Sequence, residues 1–242
     1  MQPLDLPTHR TLEFVQRHLP ERRRLLEVGC GDGRLARELR EAGHEVVGVE
    51  LSEELVEAAR RAGLDVRQAD FLSFQEEPFD AVLFTRSLHH IPRLAEAVAR
   101  AEHLLQPQGL LLAEEFAVEQ ADPRTAAWFY DLEASLSSSG ALLQEPPPRL
   151  ADPWAEWEAD HRHNPPLSSG EAMLSRVEER FDLLSVTRTS YLYRNLCGRL
   201  RKGAEGWRWA NEILETEERL IREGSLRPVG LRFVARKRPE TS

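Results

Sequence analysis

The sequence predicts an α/β fold with a mostly parallel sheet, and two features of the chain indicate it. Over about the first 116 residues, short runs of β-branched and other apolar residues alternate with amphipathic helical stretches, which is typical of βαβ units. With 242 residues, of which 41% are hydrophobic and 30% charged, the chain is long enough for one such domain with a substantial insertion.

The first half of the chain shows this alternation element by element. The apolar run 24–28 predicts a strand, which leads through glycines into a helix over 34–42 that Gly43 ends. A second strand is predicted at 45–50, and Ser52 is placed to cap the helix that follows. Further strands are predicted at 64–69, 80–85 and 109–116, and a helix at 92–105.

The second half of the chain is predicted to begin with a long, mainly helical insertion. A helix is expected over 122–139, and three consecutive prolines at 146–148 then impose an extended connection. The remaining predictions are a strand at 181–195, a helix at 204–224 and a strand at 226–238. Residues 117–180 thus form an insertion between the fifth and sixth strands. Such a segment emerges beside the carboxyl ends of the strands, where open α/β sheets bind ligands.

Composition and charge disfavour several classes of protein. The net charge of −9 argues against sequence-independent binding to nucleic acid, where contacts to phosphate dominate the affinity. No uncharged apolar stretch approaches the ~20 residues that span a bilayer, and the N-terminal stretch has no signal-peptide pattern. Cys30 and Cys197 are too few for a disulfide scaffold. We therefore expect a cytoplasmic protein without a membrane segment. No metal site is expected either, because His161 and His163 lack the spacing of a helical ligand pair and further ligands.

A glycine-rich turn after the first strand is the strongest functional signal. Gly29, Gly31 and Gly33 stand at alternate positions between the strand and a helix, where glycine permits a positive φ and a close approach of the backbone to a ligand. Glu50 ends the next strand, 21 residues after Gly29. A carboxylate at that point can accept hydrogen bonds from both hydroxyls of a ribose. The pattern predicts a cofactor that contains a nucleoside.

Two further residues of the turn distinguish between classes of cofactor. The dinucleotide fingerprint has a third glycine at position 34, for close packing around a pyrophosphate, and this chain has Arg34. Asp32 would place a carboxylate where phosphates have to lie, although Arg34 offsets part of its charge. S-adenosylmethionine carries a ribose and an ammonium group but no phosphate, so it fits the loop better than NAD. A NAD-type oxidoreductase, and a catalytically silent module that binds S-adenosylmethionine or S-adenosylhomocysteine, are the alternatives.

Several segments, in the matching order, resemble the motifs of class I S-adenosylmethionine-dependent methyltransferases. They are 27–33 (EVGCGDG), 46–52 (VVGVELS), 68–71 (QADF), 79–84 (FDAVLF) with 87–91 (SLHHI), and 104–112 (LLQPQGLLL). The resemblance covers residues 22–116 closely. It implies a Rossmann-like sheet of seven mostly parallel strands with the last strand antiparallel, helices on both faces, and a helical insertion between strands 5 and 6.

The resemblance also implies roles for individual residues. Glu50 holds the ribose, Asp70 accepts a hydrogen bond from the exocyclic amine of adenine, and Phe71 flanks the adenine ring. Glu27 lies near the amino group of the cofactor or holds the loop, and Cys30 serves through its small size and its backbone. The whole cofactor-binding set expected on this basis is Glu27, Gly29, Cys30, Gly31, Gly33, Glu50, Leu51, Asp70, Phe71 and Thr85.

The predicted activity is methyl transfer from S-adenosylmethionine to an unidentified small molecule, with S-adenosylhomocysteine as the product. His89, after the fourth strand, is the candidate general base for an acceptor that has to lose a proton, because histidine titrates near neutral pH. The Asn/Asp-Pro-Pro-Tyr/Phe motif of many methyltransferases that act on bases or glutamine is missing at 85–88, which read TRSL. Together with the acidic charge, this favours a small acceptor over a nucleic acid.

We predict a single methyltransferase domain over residues 1–242, made of four segments with different roles. Residues 1–20 are an N-terminal helical segment and 22–116 the cofactor-binding half. Residues 117–180 are expected to cap the acceptor, and 181–242 to form the C-terminal strand–helix–strand. The sequence does not indicate the oligomeric state.

Overall fold

The computed structural model describes residues 1–20 and 23–239. Position 22, the first of the predicted cofactor-binding half, and positions 240–242 of the predicted C-terminal segment lie outside the described residues. The strands are β1 (Arg24–Val28), β2 (Glu45–Glu50), β3 (Asp65–Gln68), β4 (Phe79–Thr85), β5 (Leu105–Phe116), β6 (Phe181–Thr189) and β7 (Gly230–Lys237). The helices are α1 (Asp5–Gln16), α2 (Arg34–Glu41), α3 (Glu53–Arg61), α4 (Leu94–His103), α5 (Pro123–Ser138), α6 (Pro153–Asp160), α7 (Gly170–Glu178), α8 (Leu192–Cys197) and α9 (Ala204–Arg222), with single 3₁₀ turns at Leu88–His90 and Val118–Gln120.

The seven strands form one sheet in the order β3-β2-β1-β4-β5-β7-β6. β1 pairs in parallel with β2 and with β4, and β2–β3 and β4–β5 are parallel as well. The last strand is antiparallel, and helices cover both faces, so the predicted fold is confirmed. The order of the strands reverses between β1 and β4. In open α/β sheets this switch point leaves a crevice at the carboxyl ends of the strands, where ligands bind.

Local sequence explains how the helices beside this crevice begin. Ser52 caps α3, because its Oγ accepts a hydrogen bond from the Leu55 N–H at 3.4 Å, as predicted. Gly33 precedes α2 with φ 76°. A Cβ at Gly33 would lie 2.2 Å from Leu64 Cδ1, so glycine is required there both for the backbone conformation and for close packing. No helix of the described ranges is long and apolar enough to cross a membrane.

The chain divides into two compact units, each with its own apolar core. The sheet unit comprises Arg10–Glu115, Leu167–Thr187 and Leu231–Ser242, and the helical unit comprises Met1–His9, Phe116–Pro166 and Arg188–Gly230. In the sheet unit, leucines and valines of the strands pack with the buried faces of α2 and α3. In the helical unit, aromatic residues of α5, α6 and α8 form the core with α9. The roles predicted for the four segments of the chain stay predictions.

Arg149 anchors the proline-rich segment inside the helical unit. Its guanidinium donates to both carboxylate oxygens of the buried Glu133, at 2.9–3.0 Å. Its Nη1 also donates to Glu156 and to Asp160, at 2.8 Å in both cases. One cation thus ties the stretch after residues 146–148 to both α5 and α6.

The structure corrects the predicted end of the sixth strand. The sequence predicts a strand over 181–195, but β6 ends at Thr189 and α8 follows at Leu192–Cys197. The buried Glu217 carboxylate of α9 accepts hydrogen bonds from the backbone N–H groups of residues 191, 192 and 193, at 2.7–2.9 Å. These N–H groups open α8 and have no partner within the helix itself. An acceptor more than 20 residues away therefore starts a helix where the local pattern indicates a strand.

Replacement of Glu217 by alanine should lower the free energy of unfolding by about 3 kcal/mol, because it leaves three buried donors without an acceptor. Denaturation in urea, followed by circular dichroism, measures this change. Glu217→Gln keeps one acceptor oxygen and should lose less stability. The exposed Glu215 of the same helix provides the control, since Glu215→Ala should change the stability by about 0.5 kcal/mol or less. Equal losses for the two alanine variants would contradict the capping role.

Candidate functional site

A cavity of about 440 Å³ opens in the sheet unit at the carboxyl ends of β1, β2 and β4. This volume lies within the range of pockets for small molecules and cofactors. Four connections supply its walls: the loop after β1, the end of β2, the turn after β3 and the loop from β4 to α4. The lining residues are Val28, Gly29, Val49, Glu50, Leu51, Ala69, Asp70, Phe71, Leu72, Arg86, Ser87, His90, Ile91, Pro92 and Arg93.

The glycine loop forms one wall of the cavity. Gly29 has φ 70°, and its N–H donates to the Val49 carbonyl at 2.8 Å. A Cβ at Gly29 would lie 2.7 Å from the Cβ of Ser87, so the loop can approach the end of β4 only without a side chain here. Gly31 has φ 57° and open space around it, so the backbone conformation alone calls for glycine at this position.

Glu50 lies at the centre of the cavity wall. Its Oε2 accepts a hydrogen bond from the Gly31 N–H at 3.0 Å. Its Oε1 accepts from the N–H groups of Leu51 at 2.8 Å and Ser52 at 3.0 Å. The carboxylate therefore joins the glycine loop to the start of α3. Leu51, with 69% of its surface exposed, also lines the cavity.

The turn after β3 forms the opposite wall. Asp70 is exposed, and its Oδ1 accepts from the Leu72 N–H at 2.9 Å. Its Oδ2 has no hydrogen bond with the described residues. Phe71 is only 5% exposed and packs edge-on against Phe84, with 5.4 Å between the ring centroids. An aromatic surface thus lies next to an accessible carboxylate.

Glu27 and Thr85 lie behind the cavity wall on adjacent strands. The Thr85 hydroxyl donates to Glu27 Oε1 at 3.2 Å, whereas Glu27 Oε2 is buried without a hydrogen-bond partner among the described residues. Burial raises the pKa of Glu27 to about 7, although the hydrogen bond from Thr85 and the charge of Arg86 act against the rise. Glu27 is therefore a buried acid with an unused oxygen at the base of the glycine loop.

Cys30 also points away from the cavity. A Cβ at Gly48 of β2 would lie 2.5 Å from Cys30 Sγ, so the thiol packs directly onto the glycine backbone. Burial raises the pKa of the Cys30 thiol well above its ordinary value, and the group stays protonated. Of the ten predicted cofactor-binding residues, Gly29, Glu50, Leu51, Asp70 and Phe71 line the cavity, whereas Glu27, Cys30, Gly31, Gly33 and Thr85 do not.

His89, the candidate general base, is 4% exposed and does not line the cavity. Its Nδ1 is hydrogen-bonded to Oε2 of the buried Glu115. The other oxygen of Glu115 accepts from the backbone N–H groups of Ser87 and Leu88, at 3.2 and 2.9 Å. His90 is the neighbour that lines the cavity, and its ring centroid lies 4.1 Å from that of His89. A carboxylate therefore fixes the orientation of the first imidazole.

The site contains residues that the sequence analysis did not single out. Glu115 is one, although two adjacent acids in the apolar strand at 109–116 are a signal that could have indicated it. Arg86 is another, and it has φ 68°, which no local pattern of the sequence predicts. In the described part of the chain, no group of three or more His, Cys, Asp or Glu residues is arranged to hold a metal ion.

Comparisons with known proteins give the family. A family model described as a methyltransferase domain matches residues 5–180. The ubiquinone biosynthesis O-methyltransferase of Xylella fastidiosa (strain 9a5c) is 38% identical over 110 residues, which cover 41% of this chain and 45% of that protein. The chain thus matches less than half the length of this relative.

Solved structures share the fold at low sequence identity. An S-adenosylmethionine-dependent methyltransferase from Mesorhizobium loti has a TM-score of 0.60 and 18% identity, over 97% of this chain and 100% of that chain. The N-methyltransferase NodS from Bradyrhizobium japonicum WM9, solved with S-adenosylhomocysteine, has a TM-score of 0.55 and 13% identity, over 98% and 88%. None of these matches supports the oxidoreductase alternative. The chain belongs to the methyltransferase-domain family and has the class I S-adenosylmethionine-dependent methyltransferase fold.

Proposed function

We propose that the protein transfers a methyl group from S-adenosylmethionine to a small-molecule acceptor. One observation carries the proposal: in a chain of this family, Gly29, Glu50 and the Asp70–Phe71 turn line a single cavity at the switch point of the sheet. Glu50 would hold the ribose, and the turn after β3 the adenine.

The residues present fit this cofactor. The Glu27 Oε2 atom, which has no hydrogen-bond partner among the described residues, suits an ammonium group, and Gly29 lines the cavity with its backbone alone. The fit to NAD is poorer. Arg34 pairs with Asp32 at 3.0 Å, so the one cation of the loop that could meet a pyrophosphate is already partnered.

Methyl transfer requires little from the protein beyond placing the acceptor next to the methyl group of the cofactor. When bound, S-adenosylmethionine supplies a methyl group that is already an electrophile. The protein therefore contributes proximity and orientation, for which effective molarities of about 10⁵ M or more are attainable. A base is needed only for an acceptor that has to lose a proton.

The proposed acceptor is a small molecule rather than a nucleic acid. The name of the Xylella relative supports this class, as does the net charge of −9. Because the match to that relative covers 110 residues, neither the acceptor nor the methylated atom is carried over from it. Residues 117–180 stay the segment proposed to select the acceptor, and the cytoplasm stays the proposed location.

His89 stays the proposed general base. A buried carboxylate on Nδ1, here that of Glu115, fixes the orientation of the imidazole. His90 is the second candidate, because it lines the cavity.

Calorimetric titration tests the cofactor. S-adenosylmethionine and S-adenosylhomocysteine should bind saturably and NAD should not. Glu50→Ala should weaken S-adenosylhomocysteine at least about tenfold, because it removes two ribose hydrogen bonds. Glu50→Gln keeps one oxygen for the glycine loop and separates loss of the ribose contact from loss of the loop. Glu53→Ala, an exposed acid of the next helix, should bind like the wild type. Preference for NAD, or no binding of either methionine-derived ligand, would refute the proposal.

The pH dependence of binding separates the two predicted roles of Glu27. A carboxyl group with a pKa of about 7 is mostly protonated at pH 6 and ionised at pH 8. If it faces the ammonium group, S-adenosylhomocysteine should bind about tenfold more weakly at pH 6 than at pH 8. Glu27→Gln should remove this dependence. 5′-Methylthioadenosine, which lacks the amino-acid end, serves as the control ligand and should show none. Equal affinities of wild type at both pH values would mean that Glu27 only holds the loop.

Two histidine variants test the general base on an acceptor found by screening with methyl-labelled S-adenosylmethionine. His89→Gln should lower kcat by about 100-fold, while the affinity for S-adenosylhomocysteine stays the same. His90→Gln should affect KM more than kcat. The reverse result would assign the base to His90.

A further inference from the structure

Arg86 is a cation in the wall of the cavity. It follows β4 directly and lines the cavity together with Gly29 and Ser87. Its backbone N–H donates to the Glu114 carbonyl at 2.8 Å, but its guanidinium forms no hydrogen bond or ion pair within the described residues. The other lining arginine differs, because Arg93 pairs with Glu96 at 2.9 Å.

The backbone at Arg86 is in the left-handed region, with φ 68°. This conformation costs free energy for any residue with a Cβ, and glycine adopts it without that cost. A long cationic side chain therefore stands where the backbone favours glycine. An outlier of this kind, next to a binding cavity, suggests a function for the side chain.

The charges around the cavity are separated along its length. The acids that line it, Glu50 and Asp70, lie on the walls proposed for the ribose and the adenine. Arg86 lies on the glycine-loop side, close enough to the buried Glu27 for its charge to favour the ionised acid, yet not paired with it. The part of the cavity left for the amino-acid end of the cofactor thus has an unpaired guanidinium in its wall, and the unused oxygen of Glu27 lies buried behind that wall.

We infer that Arg86 binds the carboxylate of the methionine moiety of the cofactor; this rests on the proposed function. A guanidinium matches a carboxylate with two parallel hydrogen bonds. Together with the acid oxygen of Glu27, it meets both charges of an α-amino-acid zwitterion. Arg86 thereby sets the position of that end of the cofactor and is a specificity determinant for ligands that carry a carboxylate.

Calorimetric titration with two ligands tests this inference. S-adenosylhomocysteine carries the carboxylate, whereas decarboxylated S-adenosylhomocysteine keeps the adenosine, the thioether and the ammonium group. In Arg86→Met at about pH 8.5, where Glu27 is ionised with or without the arginine, S-adenosylhomocysteine should bind about tenfold more weakly, while the affinity for the decarboxylated ligand should change less than about twofold. Arg86→Gly should behave alike and unfold at the same or a higher urea concentration, because glycine suits φ 68°. Arg37→Met removes an exposed arginine of α2 outside the cavity and should leave both affinities unchanged.

The outcomes separate this inference from the proposed function. A wild-type protein that binds neither ligand would overturn the proposed function and the inference with it. A wild type that binds S-adenosylhomocysteine, with variants that lose nothing or lose both ligands equally, would overturn the role of Arg86 alone.

Discussion

The Glu50 carboxylate is the interaction on which the ligand end of the sheet depends. It accepts backbone hydrogen bonds from Gly31 on one side and from Leu51 and Ser52 on the other. The side chain proposed to hold the ribose therefore also fixes the glycine loop and the entry to α3. Because these groups are already ordered before binding, little conformational entropy is lost when the ligand binds.

Other acids of the sheet unit are also buried, and each of them accepts hydrogen bonds from specific donors. Glu27 accepts from Thr85, Glu114 from Thr11 and Arg232, and Glu115 from two backbone N–H groups beside its histidine. Buried carboxylates are costly unless they are hydrogen-bonded. Both oxygens of Glu115 are hydrogen-bonded, whereas Glu27 Oε2 has no hydrogen-bond partner among the described residues. This buried acceptor oxygen lies at the base of the glycine loop.

The sequence predicts the parts of the structure that depend on local pattern. The apolar run at 24–28, the glycines after it and the acid at residue 50 indicate the strands and one wall of the cavity, because burial and positive φ select those residue types. The helix α8 could not be predicted, since its N–H groups are satisfied by Glu217 from α9. The same holds for the two histidines after β4. Their residue types are identical, but His89 is buried with its Nδ1 hydrogen-bonded to Glu115, whereas His90 lines the cavity.

The packing of Cys30 against Gly48 has a consequence for the redox behaviour of the protein. Oxidants and alkylating reagents attack the thiolate, and burial raises the pKa of Cys197 to about 12 and that of Cys30 as well. Both sulfur atoms are therefore shielded by their surroundings and held as thiols. Although a cysteine lies within the glycine loop, we expect its thiol to react slowly with alkylating reagents.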